Sequence, residues 1–393
     1  MNKIIKFLTY FTQLKLPVKK NTALFSSFRG MYSDNPKYVS EKLHERCPSV
    51  KIYWVIDKDK CHEKLPEYVI PVGYQSIKYF KLACRAQVLV DNFSGQRTTI
   101  VRAGDGALRK KLLKYISKKR KKQFSMSTWH GTPLKHIAAD EPNSETIDFN
   151  TNCEYVLAGC DFTAECMNNC FLGVLPVKKY GSPRNDILFD NSVNISAIKR
   201  KLKLPEDKKI ALYAPTFRNS VEISGVAQMR EIDFEKLFSA LQAKFGGEWV
   251  LAVRVHQEVL LQIDVDGLAK RYGGRVLSGN IGDDMAEYLV CTDALITDYS
   301  SSMFDFALTG KPCFLYTPDI EHYEGEERGF YMNFDSLPFP STRTAEGLSA
   351  LIENFDAQSY RKDVDGLLKR LGNFEDGQAS ERVVEDIKNF LES

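Results

Sequence analysis

The sequence predicts an α/β fold made of two doubly wound, Rossmann-like domains that face a central cleft. Short apolar segments of strand length alternate with segments of helix length from about residue 20 to residue 180. The same alternation resumes near residue 208 and continues to residue 316. Such β-α-β alternation is typical of parallel sheets with helices on both faces, so we predict one sheet in each half.

The first half of the chain contains five predicted strands and two predicted helices. The strands are expected at 22–25, 51–56, 87–90, 124–129 and 155–158, and the helices at 36–46 and 73–84. Their apolar character indicates strands that are buried on both faces of a sheet. Pro183, Asn185 and Asp186 predict a turn, which is followed by a connecting helix at 191–203.

The second half of the chain repeats this pattern. Strands are expected at 209–213, 249–255, 275–277, 294–297 and 313–316, and helices at 233–245, 284–291 and 302–308. A last helix at 381–391 is expected to return to the first domain. We therefore predict an N-terminal domain over 1–190, a C-terminal domain over 191–375 and a terminal segment over 376–393 that packs on the N-terminal domain.

Composition and charge limit the classes of partner. The 393 residues are 43% hydrophobic and 27% charged, with a net charge of +3, as in soluble globular proteins. No apolar run reaches the roughly 18 residues that a spanning helix needs, and the short apolar N-terminus predicts an interfacial or packed helix rather than a signal peptide. The segment 109–122 holds nine basic residues and no acidic one, which indicates an anionic membrane surface or nucleic acid nearby.

The nine cysteines show no regular pairing, which is typical of a reducing cytosol. Four of them cluster: Cys153, Cys160, Cys166 and Cys170. Their gaps do not match the paired spacing of zinc sites, and the last two have helical spacing that favours packing. We therefore predict no metal site and no cofactor.

His130 is the residue that the sequence most clearly marks for chemistry. It lies in the segment Trp129-His130-Gly131-Thr132-Pro133, directly after a predicted strand, where Gly and Pro force a loop. Ligands of parallel sheets bind at the carboxyl ends of strands, and imidazole titrates near neutral pH. We predict a general base here, while a loop histidine that only caps Thr132 or Lys135 is the structural alternative.

A group of serines follows the predicted strand at 294–297. Ser300, Ser301 and Ser302 open a helix, whose unpaired N–H groups and dipole suit a pyrophosphate. One serine is enough for an ordinary N-cap, so three favour a ligand. Asp305, about one turn into the helix, is expected to accept from a hydroxyl or to meet a positive partner.

Further polar residues follow other predicted strands. Arg254 and His256 alternate on the strand at 249–255, so we expect them on one face, where a cation and an imidazole stabilise phosphate charge. A solvated or salt-bridged pair is the alternative. Thr216 and Arg218 lie after the strand at 209–213, and Arg184 lies in the turn before the second half; each is a phosphate candidate. No Walker A or glycine-rich Rossmann fingerprint occurs, so catalysis is expected to use arginines, serines and helix dipoles rather than Mg²⁺.

Six motifs occur in a fixed order between residues 20 and 335. They are SFRGMYSDNP at 27–36, WHGTPLK at 129–135, APTFR at 214–218, TDYSSSMFDF at 297–306, PDIEHY at 318–323 and RGFY at 328–331. Together they resemble the CDP-glycerol glycerophosphotransferases of teichoic acid synthesis. One departure is Gln257, because the family usually has proline after the second histidine.

The resemblance implies a GT-B-like architecture and a peripheral enzyme on the cytoplasmic face of the cell membrane. It implies transfer of glycerol phosphate from CDP-glycerol to a hydroxyl of an undecaprenyl-diphosphate-linked saccharide, with release of CMP. The length is closer to that of primases, which add the first unit. A ribitol-phosphate or capsule polyol-phosphate transferase and a nucleotide-sugar glycosyltransferase remain alternatives. A nucleic-acid binder is disfavoured because the rest of the chain is near neutral, and no oligomeric state is predicted.

By motif position the resemblance also implies roles for individual residues. His130 would be the base, and His256 would stabilise or protonate the leaving phosphate. The donor site would be lined by Trp129, Gly131, Thr132, Pro133, Arg184, Thr216, Arg218, Asn219, Arg254, Ser300, Ser301 and Asp305.

Overall fold

A computed structural model of the protein describes residues 12–93, 120, 122–141, 153–171, 173–216, 225–255, 264–323 and 329–393. These residues form two parallel sheets with helices around them. Within the described part of the chain, no helix is long and apolar enough to cross a membrane.

The first sheet has seven strands, in the order β3-β2-β1-β4-β5-β6-β7, and all its neighbours pair in parallel. The strands are β1 (Lys19–Ser26), β2 (Lys51–Ile56), β3 (Val69–Gly73), β4 (Ala86–Asp91), β5 (Phe124–Ser127), β6 (Val156–Leu157) and β7 (Val177–Lys178). Chain order reverses between β1 and β4, which is the Rossmann arrangement.

The second sheet has six strands, in the order β10-β9-β8-β11-β12-β13, again all parallel. They are β8 (Lys209–Ala214), β9 (Trp249–Val253), β10 (Val276–Ser278), β11 (Ala294–Thr297), β12 (Cys313–Tyr316) and β13 (Ser341–Thr342). Here the order reverses between β8 and β11. The described residues thus contain two doubly wound sheets, as the sequence predicts.

Fourteen helices lie wholly within the described ranges from residue 34 onward. They are α1 (Asp34–Arg46), α2 (Ile77–Arg85), α3 (Asp161–Cys170), α4 (Asp186–Phe189), α5 (Ile195–Lys201), α6 (Gly225–Glu231), α7 (Phe234–Phe245), α8 (Val265–Arg271), α9 (Met285–Cys291), α10 (Ser302–Ala307), α11 (Ile320–His322), α12 (Ala345–Glu353), α13 (Ala357–Leu371) and α14 (Ala379–Glu392). Short 3-10 turns lie at Ala138–Asp140, Pro183–Asn185 and Phe334–Ser336. Side-chain caps start several helices; for example, Asp233 accepts from two backbone N–H groups of α7.

Helix α14 packs against the first sheet, although it follows the second in the chain. Its Val383, Val384 and Ile387 belong to the apolar core that surrounds the strands of the first sheet. Its Asp386 accepts hydrogen bonds from Tyr155 and Lys178. The chain therefore crosses between the two halves twice in its described parts, once through α5 and once before α14. The domain bounds 1–190, 191–375 and 376–393 stay a prediction.

Three predicted strands end earlier than expected, and three strands, β3, β7 and β13, were not predicted. The expected strand at 155–158 ends at Leu157. The expected strand at 124–129 ends at Ser127, because Trp129 has a positive φ of 53° that no strand accommodates. The expected strand at 249–255 ends at Val253. Strand β3 contains Pro71, which argues against a central strand; it is tolerated because β3 lies at the sheet edge.

A buried cluster of charges joins α1 to α9. The ammonium of Lys37 lies 2.8 Å from Asp284 Oδ2 and 2.6 Å from Glu287 Oε1, and the Tyr38 hydroxyl donates to the same Asp284 oxygen. The side chain of Lys37 is 6% exposed and that of Asp284 1%. Burial alone would lower the pKa of Lys37, but the facing carboxylates hold this pKa well above its usual range.

Replacing Lys37 by Met is expected to lower the free energy of unfolding by about 3–5 kcal/mol, because it leaves Asp284 buried without a counterion. Lys42→Met is the matched control, since Lys42 pairs with Glu45 at the surface and such pairs contribute about 0–1 kcal/mol. Urea unfolding of both variants measures the difference. Equal losses in the two variants would contradict a structural role for the buried cluster.

Candidate active site

Polar residues collect near the points where strand order reverses in each sheet. In the first sheet, Asn92 follows β4 and His130 lies shortly after β5. In the second sheet, Thr216 lies after β8 and Ser300 lies after β11. The carboxyl ends of strands at such a switch point leave a crevice that no crossover helix covers. Each sheet therefore offers one crevice, and these residues line it.

The loop that carries His130 is held in an unusual backbone conformation. Trp129 has φ 53° and Gly131 has φ 123°, so the chain turns sharply on both sides of the histidine. The indole of Trp129 stacks on the imidazole with ring centres 4.3 Å apart. Phe93 and Phe28 pack on the same imidazole at 5.1 and 5.9 Å. The ring is thereby confined to one orientation.

The tautomer of His130 follows from the hydrogen bond that its ring makes. Its Nδ1 lies 2.7 Å from the backbone oxygen of Asn92, and a carbonyl oxygen only accepts, so Nδ1 carries the proton. In the neutral ring the lone pair is then on Nε2. Burial lowers the pKa of His130, and the Asn92 carbonyl and the Asp34 carboxylate oppose this shift only in part. The lowered pKa favours the neutral imidazole, which accepts a proton at Nε2.

Arg184 lies between the two halves of the site. Its Nη1 donates to Asp34 Oδ1 at 2.7 Å and to the backbone oxygen of His130 at 2.8 Å, while its Nη2 donates to Asp305 Oδ2 at 2.5 Å. Its backbone N–H donates to Asn35. Two carboxylates thus neutralise the guanidinium. Its direct contact with a phosphate stays a prediction.

Asp305 uses both carboxylate oxygens within the protein. Oδ2 accepts from Arg184, and Oδ1 accepts from Asn185 Nδ2 at 3.1 Å. Burial raises the pKa of Asp305, and the Arg184 guanidinium opposes that shift. Glu375 lies on the other side of Asn185 and accepts from the Ser182 backbone N–H; burial raises the pKa of Glu375 to about 8. Contact of Asp305 with the donor also stays a prediction.

The serine loop of the second sheet meets the histidine loop of the first. A Cβ at Gly131 would lie 3.4 Å from Ser301 Oγ, so the two loops are adjacent. Ser301 is the N-cap residue of α10, but its side chain makes no capping hydrogen bond. The Ser300 hydroxyl lies 2.8 Å from that of Ser302. Asp298 fixes the start of this loop by accepting from the backbone N–H and the hydroxyl of Thr216.

Two other predicted residues have protein partners of their own. Arg254 lies past the end of β9, and its guanidinium donates to the backbone oxygens of Gly279, Gly282 and Asp283 while covering the ring of Tyr288. The expectation that Arg254 lies within the strand is therefore wrong, because the strand stops at Val253. Its place beside His256 stays a prediction, since His256 lies outside the described residues. The Thr132 hydroxyl lies 3.4 Å from that of Thr163 on α3.

Several predicted residues lie outside the described part of the chain. These are Arg218, Asn219, His256 and most of the basic run at 109–122. Pro133 is described and buried, and the residue after it, Leu134, belongs to the core of the second sheet. Among the described residues no group of three or more His, Cys, Asp or Glu side chains is arranged to hold a metal ion.

Three polar residues at the site were not predicted from sequence. Asp34 and Asn35 begin α1, and Asn92 directly follows β4. Asn92 donates to Asp34 Oδ2 at 2.5 Å, and Asn35 donates to the backbone oxygen of Trp129 at 3.0 Å. Their position directly after strands or within the 27–36 motif was the available signal, because polar residues at strand ends mark the crevice side of a parallel sheet.

Comparisons with known proteins agree with this arrangement. The family model "CDP-Glycerol:Poly(glycerophosphate) glycerophosphotransferase" matches residues 8–389. A teichoic acid poly(glycerol phosphate) polymerase of Bacillus subtilis is 30% identical over 95% of this chain and 49% of its own length. A teichoic acid glycerol-phosphate transferase of Staphylococcus aureus is 30% identical over 95% of this chain and 94% of its own length. The chain spans about half the length of the first of these relatives.

Solved structures show the same architecture. The wall teichoic acid polymerase TagF superposes with a TM-score of 0.78 at 26% identity, covering 100% of this chain and 99% of that one. A TagF histidine variant soaked with CDPG superposes equally well. A UDP-N-acetylglucosamine 2-epimerase from Listeria monocytogenes described as putative reaches a TM-score of 0.50 at 11% identity over 95% of this chain and 97% of its own, which concerns the fold alone. The two-domain, GT-B-like fold is thereby confirmed.

Gly131→Ala is expected to unfold at lower denaturant than Gly173→Ala. Both glycines have a positive φ, so each variant pays roughly 1–2 kcal/mol for a side chain in that region. A Cβ at Gly131 would also lie 2.4 Å from the Arg184 guanidinium, whereas nothing lies within 4 Å of a Cβ at Gly173. Urea unfolding compares the two. If Gly131→Ala were as stable as Gly173→Ala, the histidine loop would accommodate the added Cβ without loss of stability, which would contradict the close contact with Arg184.

NMR titration of the histidine side chains is expected to give His130 a pKa below its ordinary value of 6.5, because burial disfavours the imidazolium. The neutral ring should also show the Nδ1–H tautomer. His130→Ala identifies the signal. A pKa at or above 6.5, or a neutral ring protonated on Nε2, would contradict the geometry described here.

Proposed function

The chain belongs to the CDP-glycerol:poly(glycerophosphate) glycerophosphotransferase family, and we propose that it transfers glycerol phosphate from CDP-glycerol to an acceptor hydroxyl, releasing CMP. Teichoic acid synthesis is the setting that the printed functions of its relatives support. The observation that carries the proposal is the place of His130: its Nδ1 lies 2.7 Å from the Asn92 carbonyl oxygen, and its loop adjoins the serine loop of the second domain at Gly131 and Ser301.

In the proposed step, Nε2 of His130 takes the proton of the acceptor hydroxyl. The hydroxyl oxygen forms a bond to the phosphorus that bears glycerol, and the bond from that phosphorus to the bridging oxygen breaks. The bridging oxygen leaves on CMP. The carbonyl of Asn92 supports this step, because it keeps the proton on Nδ1 and stabilises the imidazolium that forms.

The donor is proposed to lie across the serine loop. Ser300 and Ser301 offer hydroxyl donors to the pyrophosphate, and their loop is braced by the contact of Asp298 with Thr216. Arg218 and His256, which the motifs predict for the same site, would neutralise the phosphates and stabilise the departing CMP. Trp129, stacked on His130, would bound the acceptor side. No metal is required in this account, since these groups supply the charge.

We propose a lipid-linked saccharide acceptor and a primase role. Support comes from the S. aureus relative, whose printed function is glycerol-phosphate transfer and which this chain matches over 94% of that protein's length. A poly(glycerol phosphate) polymerase of Bacillus spizizenii is matched over 93% of its length at 29% identity, so repeated transfer is the competing role. A ribitol-phosphate primase of Bacillus spizizenii is also similar, at 27% identity over 96% of this chain and 93% of its own length. Ribitol phosphate is therefore the competing cargo.

Chromatographic measurement of CMP release tests the proposed reaction. The protein is offered CDP-glycerol, CDP-ribitol or a UDP-sugar, each with a lipid-linked disaccharide. CMP is expected from CDP-glycerol, and His130→Ala is expected to lower the rate by about 10²–10⁴, the usual contribution of a general base. His44→Ala is the matched control, because His44 stacks on Tyr68 away from the site.

Three outcomes would contradict parts of this proposal. CMP from CDP-ribitol alone would change the cargo but keep the chemistry. Near-normal turnover by His130→Ala would remove the base from the mechanism. Release of UDP from a UDP-sugar in place of CMP would favour a glycosyltransferase on the same fold.

We also propose that the basic run at 109–122 holds the protein on an anionic membrane. Arg120 and Lys122 are the members of this run that the structure describes. Support comes from Arg120, whose guanidinium donates to the backbone oxygens of Leu16 and Cys84. The run is thereby tied to the segment that follows the apolar N-terminus. Each basic residue near such a surface contributes about 1 kcal/mol of binding.

Flotation with vesicles that contain anionic lipid tests this membrane contact. Changing Lys110, Lys111, Lys114, Lys118 and Lys119 to Gln together is expected to release the protein from the vesicles, as is high salt. Five Lys→Gln changes elsewhere form the charge-matched control: Lys58, Lys203, Lys236, Lys362 and Lys369. Flotation that both variants retain equally would rule out the basic run as the anchor.

A further inference from the structure

We propose that Arg184 is a positioning residue that ties the histidine loop of the first domain to helix α10 of the second. The inference rests on the proposed function, in which His130 is the base, but it assigns Arg184 and Asp305 a role other than donor binding. The geometry points to a relay of contacts that runs from Asp305 through Arg184 to the backbone and ring of His130.

The first arm of the relay acts on the loop backbone. Nη1 of Arg184 donates to the carbonyl oxygen of His130 at 2.8 Å. Gly131 lies so close that a Cβ there would contact the guanidinium at 2.4 Å. The guanidinium therefore sets both the direction of this peptide and the space in which the loop turns.

The second arm acts on the imidazole through two residues. The same Nη1 donates to Asp34 Oδ1 at 2.7 Å, and the other oxygen of Asp34 accepts from Asn92 Nδ2 at 2.5 Å. The backbone oxygen of Asn92 accepts from Nδ1 of His130. Asp34 has a positive φ of 60°, a conformation that costs free energy for a residue with a side chain and that these contacts hold in place.

The third arm reaches the second domain. Nη2 of Arg184 donates to Asp305 Oδ2 at 2.5 Å, and Asn185, the next residue along the chain, donates to Asp305 Oδ1 at 3.1 Å. Asp305 lies in α10, one turn after the serine loop. Ser300 and Ser301 are thus held at a set position relative to His130. Arginine suits this place because its planar fork addresses several acceptors at once, which a lysine ammonium does not.

Because these ion pairs are buried, they are strong enough to hold the histidine loop and α10 in fixed positions. The side chains of Arg184, Asp34 and Asp305 are 11%, 5% and 6% exposed. An ion pair with so little solvent is only weakly screened, and removal of one partner leaves a buried charge without compensation. The charged groups that the structure places against His130 are Asp34 at the start of α1 and Arg184 in the turn after β7.

Steady-state kinetics of CMP release separate positioning from donor binding. Arg184→Gln is expected to lower kcat by about 10²-fold with little change in KM for CDP-glycerol, because misplacement of a reacting group by about 1 Å costs that much. The kcat of Arg184→Lys should lie between that of Arg184→Gln and that of the wild type. A phosphate-binding arginine predicts instead a raised KM with kcat preserved, and that result would overturn the proposal.

A double-mutant cycle tests the link to the second domain. Asp305→Asn should also lower kcat, and Arg184→Gln with Asp305→Asn should lower kcat no further than Arg184→Gln alone, because the two residues act through one contact. Arg361→Gln, which breaks an exposed ion pair with Asp365, is the control and should leave kcat unchanged. Fully additive losses in the double variant would overturn the link.

The acid limb of the pH profile of kcat/KM distinguishes a positioning role from a loss of stability, because a loss of stability alone does not shift this limb in opposite directions in two variants. His130 acts as a base only when neutral, so a higher pKa moves this limb to higher pH. Arg184→Gln removes a cation and should move the limb up; Asp34→Asn removes an anion and should move it down. Shifts in the same direction, or none, would overturn the relay.

NMR of the histidine Nδ1–H signal keeps the two proposals distinguishable. The signal of His130 is expected to shift or broaden in Arg184→Gln even without substrate. If His130→Ala remains active, the proposed base is wrong whatever Arg184 does. If His130→Ala is inactive while Arg184→Gln has normal kcat and an unchanged signal, only the positioning role is wrong.

Discussion

Parallel pairing of every strand is the constraint from which the candidate site follows. In each sheet all carboxyl ends lie on one edge, and the order reverses at one place, between β1 and β4 or between β8 and β11. No crossover covers that place, so the loops after these strands line a crevice. His130 and Asn92 occupy one crevice, and Ser300 and Thr216 the other. Two half-sites become one site only because the sheets face each other.

Buried charges join the two halves of the chain, and α1 supplies two of these contacts. Asp34 and Lys37 lie three residues apart in its first turn, on one side of the helix. Lys37 pairs with Asp284 directly, and Asp34 is joined to Asp305 through Arg184. Such pairs add little net stability but tolerate few alternative arrangements, since each misfit leaves a buried charge unpaired. They therefore suit a site whose two halves come from different sheets.

The local sequence pattern predicted the positions of the strands better than it predicted the contacts of the polar site residues. The strands at 51–56, 294–297 and 313–316 were predicted to the residue, because buried parallel strands are short apolar runs with clear ends. The edge strand β3 was missed because Pro71 reads as a break. The role of Arg254 could not be predicted, because its three carbonyl acceptors come from a loop about 25–29 residues away. The contacts of Arg184 with Asp34 and Asp305 span 150 and 121 residues, and no local signal encodes them.

The proposed reaction requires that His130 lose its proton before turnover. The most direct measurement compares two pKa values of the free protein: the acid limb of kcat/KM for CMP release, and the NMR titration of His130. A general base held by the Asn92 carbonyl predicts that the two values coincide and lie below 6.5. An acid limb that differs clearly from the His130 titration, or that persists in His130→Ala, would contradict it.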